Sequence, residues 1–313
     1  MGLSIMRGIT VCWVITMMAT VTCCRAEDQP PPPKRIVCTF LPVYVFTLNV
    51  VGDAPGVQVE LLVSADLGCP HHYTVRPADM KALERADVVV ANGLGMEPFL
   101  DEWLKSSPKA KTVTISDDCG VITEECGEGK HKHGDHDHGH VNGHVWTSPT
   151  EAIKQVKTLA RKLGELDGER AETYLSNADA YVSRLEALRQ KFAKEAAGFQ
   201  NRRIVTTHDA FEYMARDLNL EIVAHLESEP DATPSAREMT SIIDAIKRTK
   251  AAAVFYEPTS PVRVAETIAR DAGVPVYRLN PFNSLSGKAT ARSYEEVMEE
   301  NLTILRKALG SSP

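Results

Sequence analysis

No cluster of lysine or arginine occurs in these 313 residues, and the formal charge is −7 with ten histidines counted as neutral. Phosphate recognition draws on clustered basic side chains, so nucleic acid is excluded as a partner, and nothing basic marks a face for an anionic membrane. A long apolar run is missing as well. The longest, Ile9 to Val21, falls short of the ~20 residues that a stable transmembrane helix needs. Arg7 precedes it, and small and polar residues and then Glu27-Asp28 follow, which is the order of a secretory signal peptide over residues 1–26. Cys24-Arg25-Ala26 matches a small-residue cleavage site loosely, and Thr22-Cys23 approximates a lipoprotein site. The expected location is periplasmic or otherwise extracytoplasmic, with lipid anchoring at the membrane left open. Cysteine is sparse: removing the leader takes away Cys12, Cys23 and Cys24 and leaves Cys38, Cys69, Cys119 and Cys126. An even number in an exported chain permits disulfides. Cys119 and Cys126 could close a short ring, leaving Cys38 with Cys69, but sequence does not choose among the three connectivities.

What is present is an alternation. After a stiff Pro-rich spacer, residues 27–34, short apolar runs alternate with helical patterns. Arg35–Phe40, Val57–Val63, Asp87–Ala91 and Thr112–Ile115 read as strands, and the rhythm returns in Arg203–Thr206, Glu221–Ala224, Ala252–Tyr256 and Val274–Leu279. The fold class is α/β: two similar lobes, each a mostly parallel sheet flanked by helices. Between the first lobe (residues 35–168) and the second (199–313) lies a segment without strand signals. Its Tyr174, Ala178, Tyr181, Leu185 and Leu188 recur at helical spacing. A helix over 169–198 either spans the molecule and joins the lobes or packs within one of them.

Histidine carries the chemical signal. His131, His133, His136, His138 and His140 crowd together with Asp135 and Asp137 in a glycine-rich loop, residues 117–143, with His144 at its edge, a metal-binding composition with no apolar face to bury. Selectivity among divalent metals needs fixed geometry, so the principal ligands belong on the scaffold and the loop is auxiliary. His71 and His208 come after strands, where open α/β sheets place their ligands, and His144 stands at the far edge of the flexible loop. His72 is read as a neighbour of His71. His225 also follows a strand but stands alone.

Cys69-Pro70-His71-His72-Tyr73 running on to Arg76-Pro77-Ala78-Asp79, Ala86-Asp87-Val88-Val89 with Asn92-Gly93, His144-Val145-Trp146-Thr147-Ser148-Pro149, Thr206-Thr207-His208-Asp209-Ala210-Phe211-Glu212-Tyr213 and Phe255-Tyr256-Glu257-Pro258 occur in this order. The chain thereby resembles the zinc and manganese solute-binding proteins of ABC importers, the ZnuA-like branch of cluster A-I, over nearly all of the mature sequence. The resemblance implies two lobes joined by one long helix, with metal held between them by His71 and His144 from the first lobe and His208 from the second. Manganese-type members tend to carry a carboxylate at position 208, so the histidine favours zinc. It also matches the acid- and His-rich loop of zinc-type members. Two departures stand out. The family's aspartate ligand near the last strand is replaced by Asn280 or Asn283, depending on alignment, and an acidic residue ahead of Pro-His is replaced by Cys69. The fourth position is then water, Asp209, Glu257, one of the asparagines, or the Cys69 thiolate if it is not paired with Cys38.

The expected function is capture of Zn²⁺, ahead of Mn²⁺, and its delivery as cargo to an ABC transporter permease by a monomeric, non-enzymatic protein. A zinc hydrolase is the rival, with Glu212 as its base, since three histidines and an open position also describe catalytic zinc; no H-E-x-x-H helix supports it. A metal-binding adhesin or buffer differs from the importer component only in partner.

Overall fold

Parallel strands buried on both faces must be short and apolar throughout, and Val88–Ala91, wholly buried, is the clearest case. A computed structural model describes Met1 and residues 34–107, 111–123, 141–227 and 232–310. The chain divides into Met1–Pro32 and Pro33–Pro313. The signal-peptide and spacer readings, Cys126 and His131 to His140 lie outside the described residues. Among the described ones no helix is long and apolar enough to cross a membrane.

Within Pro33–Pro313, β1 (Lys34–Cys38), β2 (Val57–Leu61), β3 (Val88–Ala91) and β4 (Thr112–Thr114) pair in parallel in the order β2-β1-β3-β4. Helices α1 (Leu41–Val51), α2 (Pro77–Glu84) and α3 (Pro98–Ser106) connect them. The second lobe repeats the plan with β5 (Arg203–Thr206), β6 (Glu221–His225), β7 (Ala253–Tyr256) and β8 (Val276–Arg278) in the order β6-β5-β7-β8, joined by α6 (Glu212–Leu218), α7 (Ala236–Thr249) and α8 (Val262–Ala272). In both sheets the strand order reverses between the first and third strands. Ligands of open α/β sheets sit beyond the carboxyl ends at such a reversal.

Two helices follow β4. Ser148 caps α4 (Pro149–Leu166) by accepting from the Glu151 amide, and Pro149 occupies the first turn. α5 (Ala171–Ala197) then runs 27 residues, about 40 Å at 1.5 Å per residue. Its buried face is Tyr174, Ala178, Tyr181, Leu185, Leu188, Phe192 and Ala196. This face packs on α1 and α4 in the first lobe and on α6 and α9 (Ser293–Leu309) in the second. The helix therefore spans both lobes. α9 returns toward the first lobe: the Tyr294 ring lies 5.2 Å from Phe46 of α1, and its hydroxyl donates to the Trp146 carbonyl at 2.8 Å. One hydrophobic core runs continuously from β1 through α5 to α9.

The Cys38–Cys69 pairing raised from the sequence is absent. Both are free thiols, because Cys38 ends β1 with its side chain buried beside Thr47 of α1, whereas Cys69 opens a turn at the cleft. Burial pushes the Cys38 thiol up to about 12. Cys119 is free of both, and its pairing with Cys126 falls outside the described residues.

Candidate metal centre

The first segment with candidate ligands is a single 3₁₀ turn, Pro70–His72, opened by Cys69 and begun by a proline whose missing N–H costs nothing there. Asp79, only 4% exposed, fixes the chain just beyond it. The Asp79 carboxylate accepts from the Tyr73 hydroxyl at 2.6 Å and from the Arg76 amide at 2.7 Å. Burial alone would raise its pKa, but the hydrogen bonds from Arg76 and Tyr73 outweigh this and hold it below the usual carboxylate value. The turn is thus anchored by its own downstream helix, with Cys69 and His71 at its edge.

His144 stands three residues beyond Val141, which bridges to Thr123 in antiparallel fashion and closes the base of the His-rich segment. The Asn142 amide oxygen accepts from the His144 backbone N–H at 2.9 Å and lies 3.0 Å from ring Nδ1. An amide oxygen only accepts, which assigns the ring proton to Nδ1 and turns the Nε2 lone pair toward Cys69 and His208. The other end of Asn142 donates to the Asp209 carbonyl at 2.8 Å and to Glu212 at 3.1 Å, tying the two lobes together beside the site. Asn142 carried no weight in the sequence reading. Its signal there was an asparagine two residues before a histidine, the spacing of an Asx turn.

His208 follows β5, and its Nδ1 lies 2.6 Å from Glu257 Oε1. Glu257 follows β7, so ligand and partner straddle the strand-order reversal. Its second oxygen accepts from Asn283 Nδ2 at 3.1 Å. Burial opposes charge on His208, but the Glu257 carboxylate and the Cys69 sulfur outweigh it and hold the imidazole well above its ordinary pKa. A carboxylate on the rear nitrogen of a ligating histidine is the usual way to fix its ring and raise its basicity.

These segments converge. His208 Nε2 and His144 Nε2 are 3.4 Å apart, and Cys69 Sγ is 3.4 Å from the same His144 atom. The His71 and His144 rings lie 5.1 Å apart, and Cys69, His71 and His144 offer ligand atoms all within 4.8 Å of one another. Zn–N bonds of 2.0–2.1 Å in a tetrahedron place nitrogens about 3.3 Å apart, which is close to the separation of the two Nε2 atoms. His144 and His208 are buried, at 1% and 7% exposure. One borderline-soft cation in the middle would satisfy all of them.

The remaining candidates are placed differently. Asn280 is committed to its own loop: its amide donates to the Ser284 carbonyl at 2.9 Å and accepts from the Phe282 amide at 2.9 Å. Asn283 and Glu257 stand behind His208. Asp209 comes within 3.7 Å of His144 from the Nδ1 side. His225 lies 3.1 Å from the Thr206 hydroxyl and 3.9 Å from Glu212, outside the cluster. Glu212, the base required by a hydrolase, is engaged by Asn142.

A family model described as the periplasmic zinc-uptake complex component A matches residues 36–308. The chain belongs to this family. Within the zinc-uptake family it is 34% identical over 290 residues to the zinc-binding lipoprotein AdcA of Streptococcus pneumoniae, covering 91% of this chain and 57% of AdcA. It therefore spans a little over half the length of that relative. The high-affinity zinc uptake system protein ZnuA of Bacillus subtilis is 29% identical, with 91% of this chain and 90% of ZnuA covered. Among solved structures, the SBP FpvC of Pseudomonas aeruginosa in complex with Mn²⁺ superposes with TM-score 0.76 at 32% identity, over 88% of this chain and 98% of FpvC. Zn(II)-bound AdcA from S. pneumoniae gives 0.73 at 31% identity, over 90% of this chain and 59% of AdcA.

Proposed function

We propose that this chain binds Zn²⁺ outside the cytoplasm through His71, His144 and His208 and delivers it, as a monomer, to the permease of an ABC importer. The observation that carries the reading is the approach of two Nε2 atoms from opposite lobes to 3.4 Å, each ring oriented by an acceptor on its Nδ1. The names of AdcA and ZnuA support zinc as cargo and an extracytoplasmic, membrane-associated location. FpvC has been solved with Mn²⁺ and with Ni²⁺, so a relative's scaffold holds other cations. A nitrogen-rich ligand set discriminates against manganese, which prefers oxygen. Titration of zinc into the chain, with manganese as competitor, is expected to give one tight site that excess manganese does not empty. Weak binding alone, lost when residues 124–140 are replaced by an Asn-Gly turn joining Thr123 to Val141, would overturn the cleft reading.

That same replacement examines the His-rich segment. Its base adjoins His144, so its histidines would act as a weaker collector feeding the cleft. The shortened chain is expected to bind fewer zinc ions in total while keeping the tight one; unchanged stoichiometry would remove the collector role.

Glu257→Gln keeps the side-chain shape and removes the charge behind His208. Zinc affinity is expected to fall about 10- to 100-fold with the fold intact by circular dichroism. An unchanged affinity would mean that the carboxylate does not act through His208.

Zinc must displace any proton from the ligating nitrogens. Because His208 is held well above its ordinary pKa, proton competition begins at a higher pH than for a free histidine. Affinity is expected to decline as pH falls, beginning above the ordinary histidine range, with protons released on binding. Calorimetry in buffers of different ionisation enthalpy reads that release, and a flat profile down to pH 6 would contradict it.

A further inference from the structure

We propose that Cys69 is the fourth zinc ligand, making the cleft a Cys-His₃ site; this rests on the zinc-binding reading above. Cys69 Sγ lies 3.4 Å from His144 Nε2, and Cys69, His71 and His144 offer ligand atoms all within 4.8 Å of one another. The sulfur thus joins His71 and His144, from the turn that also carries His71, and the His144 nitrogen it meets also lies 3.4 Å from His208 Nε2. A tetrahedral ion with a Zn–S bond of 2.3 Å and Zn–N bonds near 2.05 Å separates S from N by about 3.6 Å, close to the distance to His144.

Among the alternatives, Asp209 shares a second possible ligand set with His144 and His208 but reaches His144 from its rear nitrogen, the one that faces Asn142, at 3.7 Å. Glu257 is taken by His208 Nδ1 and Asn283, and Asn280 by Ser284 and Phe282. Cys69 is held by the proline turn, so little side-chain freedom is lost on binding. As the S–Zn bond forms, the S–H bond breaks and its proton leaves to solvent; no electron changes hands. Thiolate is a soft ligand that zinc accepts and manganese does not favour. Cys69 therefore sets metal choice where a carboxylate would be permissive.

X-ray absorption at the zinc edge decides the matter, using the full chain carrying Cys126→Ser and one equivalent of zinc. The expected first shell is one sulfur at about 2.3 Å with three nitrogens near 2.0–2.1 Å. Adding Cys69→Ser should remove the sulfur, lower zinc affinity about a hundredfold and reduce the preference for zinc over manganese. The cobalt-loaded chain should also lose its thiolate-to-metal charge-transfer band. The absorption spectrum of the Cys69-containing chain is informative even if the serine variant folds poorly. Tight zinc in a shell of nitrogen and oxygen only, bound equally by Cys69→Ser, would overturn the Cys69 assignment and leave the zinc reading standing. No tight zinc in the Cys69-containing chain would overturn both.

Discussion

His144→Ala is expected to weaken zinc binding by a factor of about 100 to 1,000. Structural zinc sites bind with roughly 10–16 kcal/mol, which averages ~3 kcal/mol for each of four ligands. His144 is central to this cluster, since its Nε2 lies 3.4 Å from both His208 Nε2 and Cys69 Sγ. Removing it separates the two lobes' contributions. His225→Ala is the matched control, because His225 sits outside the cluster. Chelator competition on both variants reads the difference. A fall of less than tenfold for His144→Ala, or an equal fall for His225→Ala, would mean that the metal is held elsewhere.

Trp146→Ala is expected to destabilise the metal-free chain by about 3–5 kcal/mol, the usual cost of truncating a buried tryptophan. At ~2–4 °C per kcal/mol for a chain of this size, the melting temperature should drop by roughly 6–20 °C. The indole is fully buried against Phe40, with ring centroids 5.0 Å apart, and its Nε1 donates to the Pro281 carbonyl at 2.7 Å. It also lies 5.3 Å from the His144 ring. One residue therefore joins the first-lobe core, the loop after β8 and the metal centre. Zinc affinity should fall with stability, as His144 loses the wall on which it rests. Trp146→Phe, which keeps most of the area but not the N–H, should lose about 1–2 kcal/mol. Thermal melts with and without zinc measure both effects, and a shift below 2 °C for Trp146→Ala would contradict the account of this packing.

The strand rhythm was legible because each parallel strand is a short buried apolar run. Where the sequence runs outlast the named strands, the ladder does continue: the Leu62 amide donates to Cys38 and the Leu279 amide to Tyr256, each at 2.9 Å. The periodicity of α5 identified a buried face but not its neighbours. Whether the helix joined the lobes depended on α9 returning from far along the chain, which no local pattern encodes. His71 and His208 were visible through their positions after strands, and His144 through its place at the edge of the His-rich loop. The fourth position was not, because Asn280 and Asn283 are one step of alignment apart yet face different partners. Glu257 was open as a ligand or as a residue behind one, and it stands behind His208. The Cys38–Cys69 pair satisfied composition and failed on direction, since adjacent thiols need converging side chains and Cys38 points at α1.

Anomalous diffraction at the zinc edge, from crystals of the full chain grown with one equivalent of zinc, tests the central claim most directly. The account predicts one dominant peak between the lobes, within bonding distance of His71, His144 and His208. A peak confined to residues 124–140, with the three cleft histidines unliganded, would contradict it.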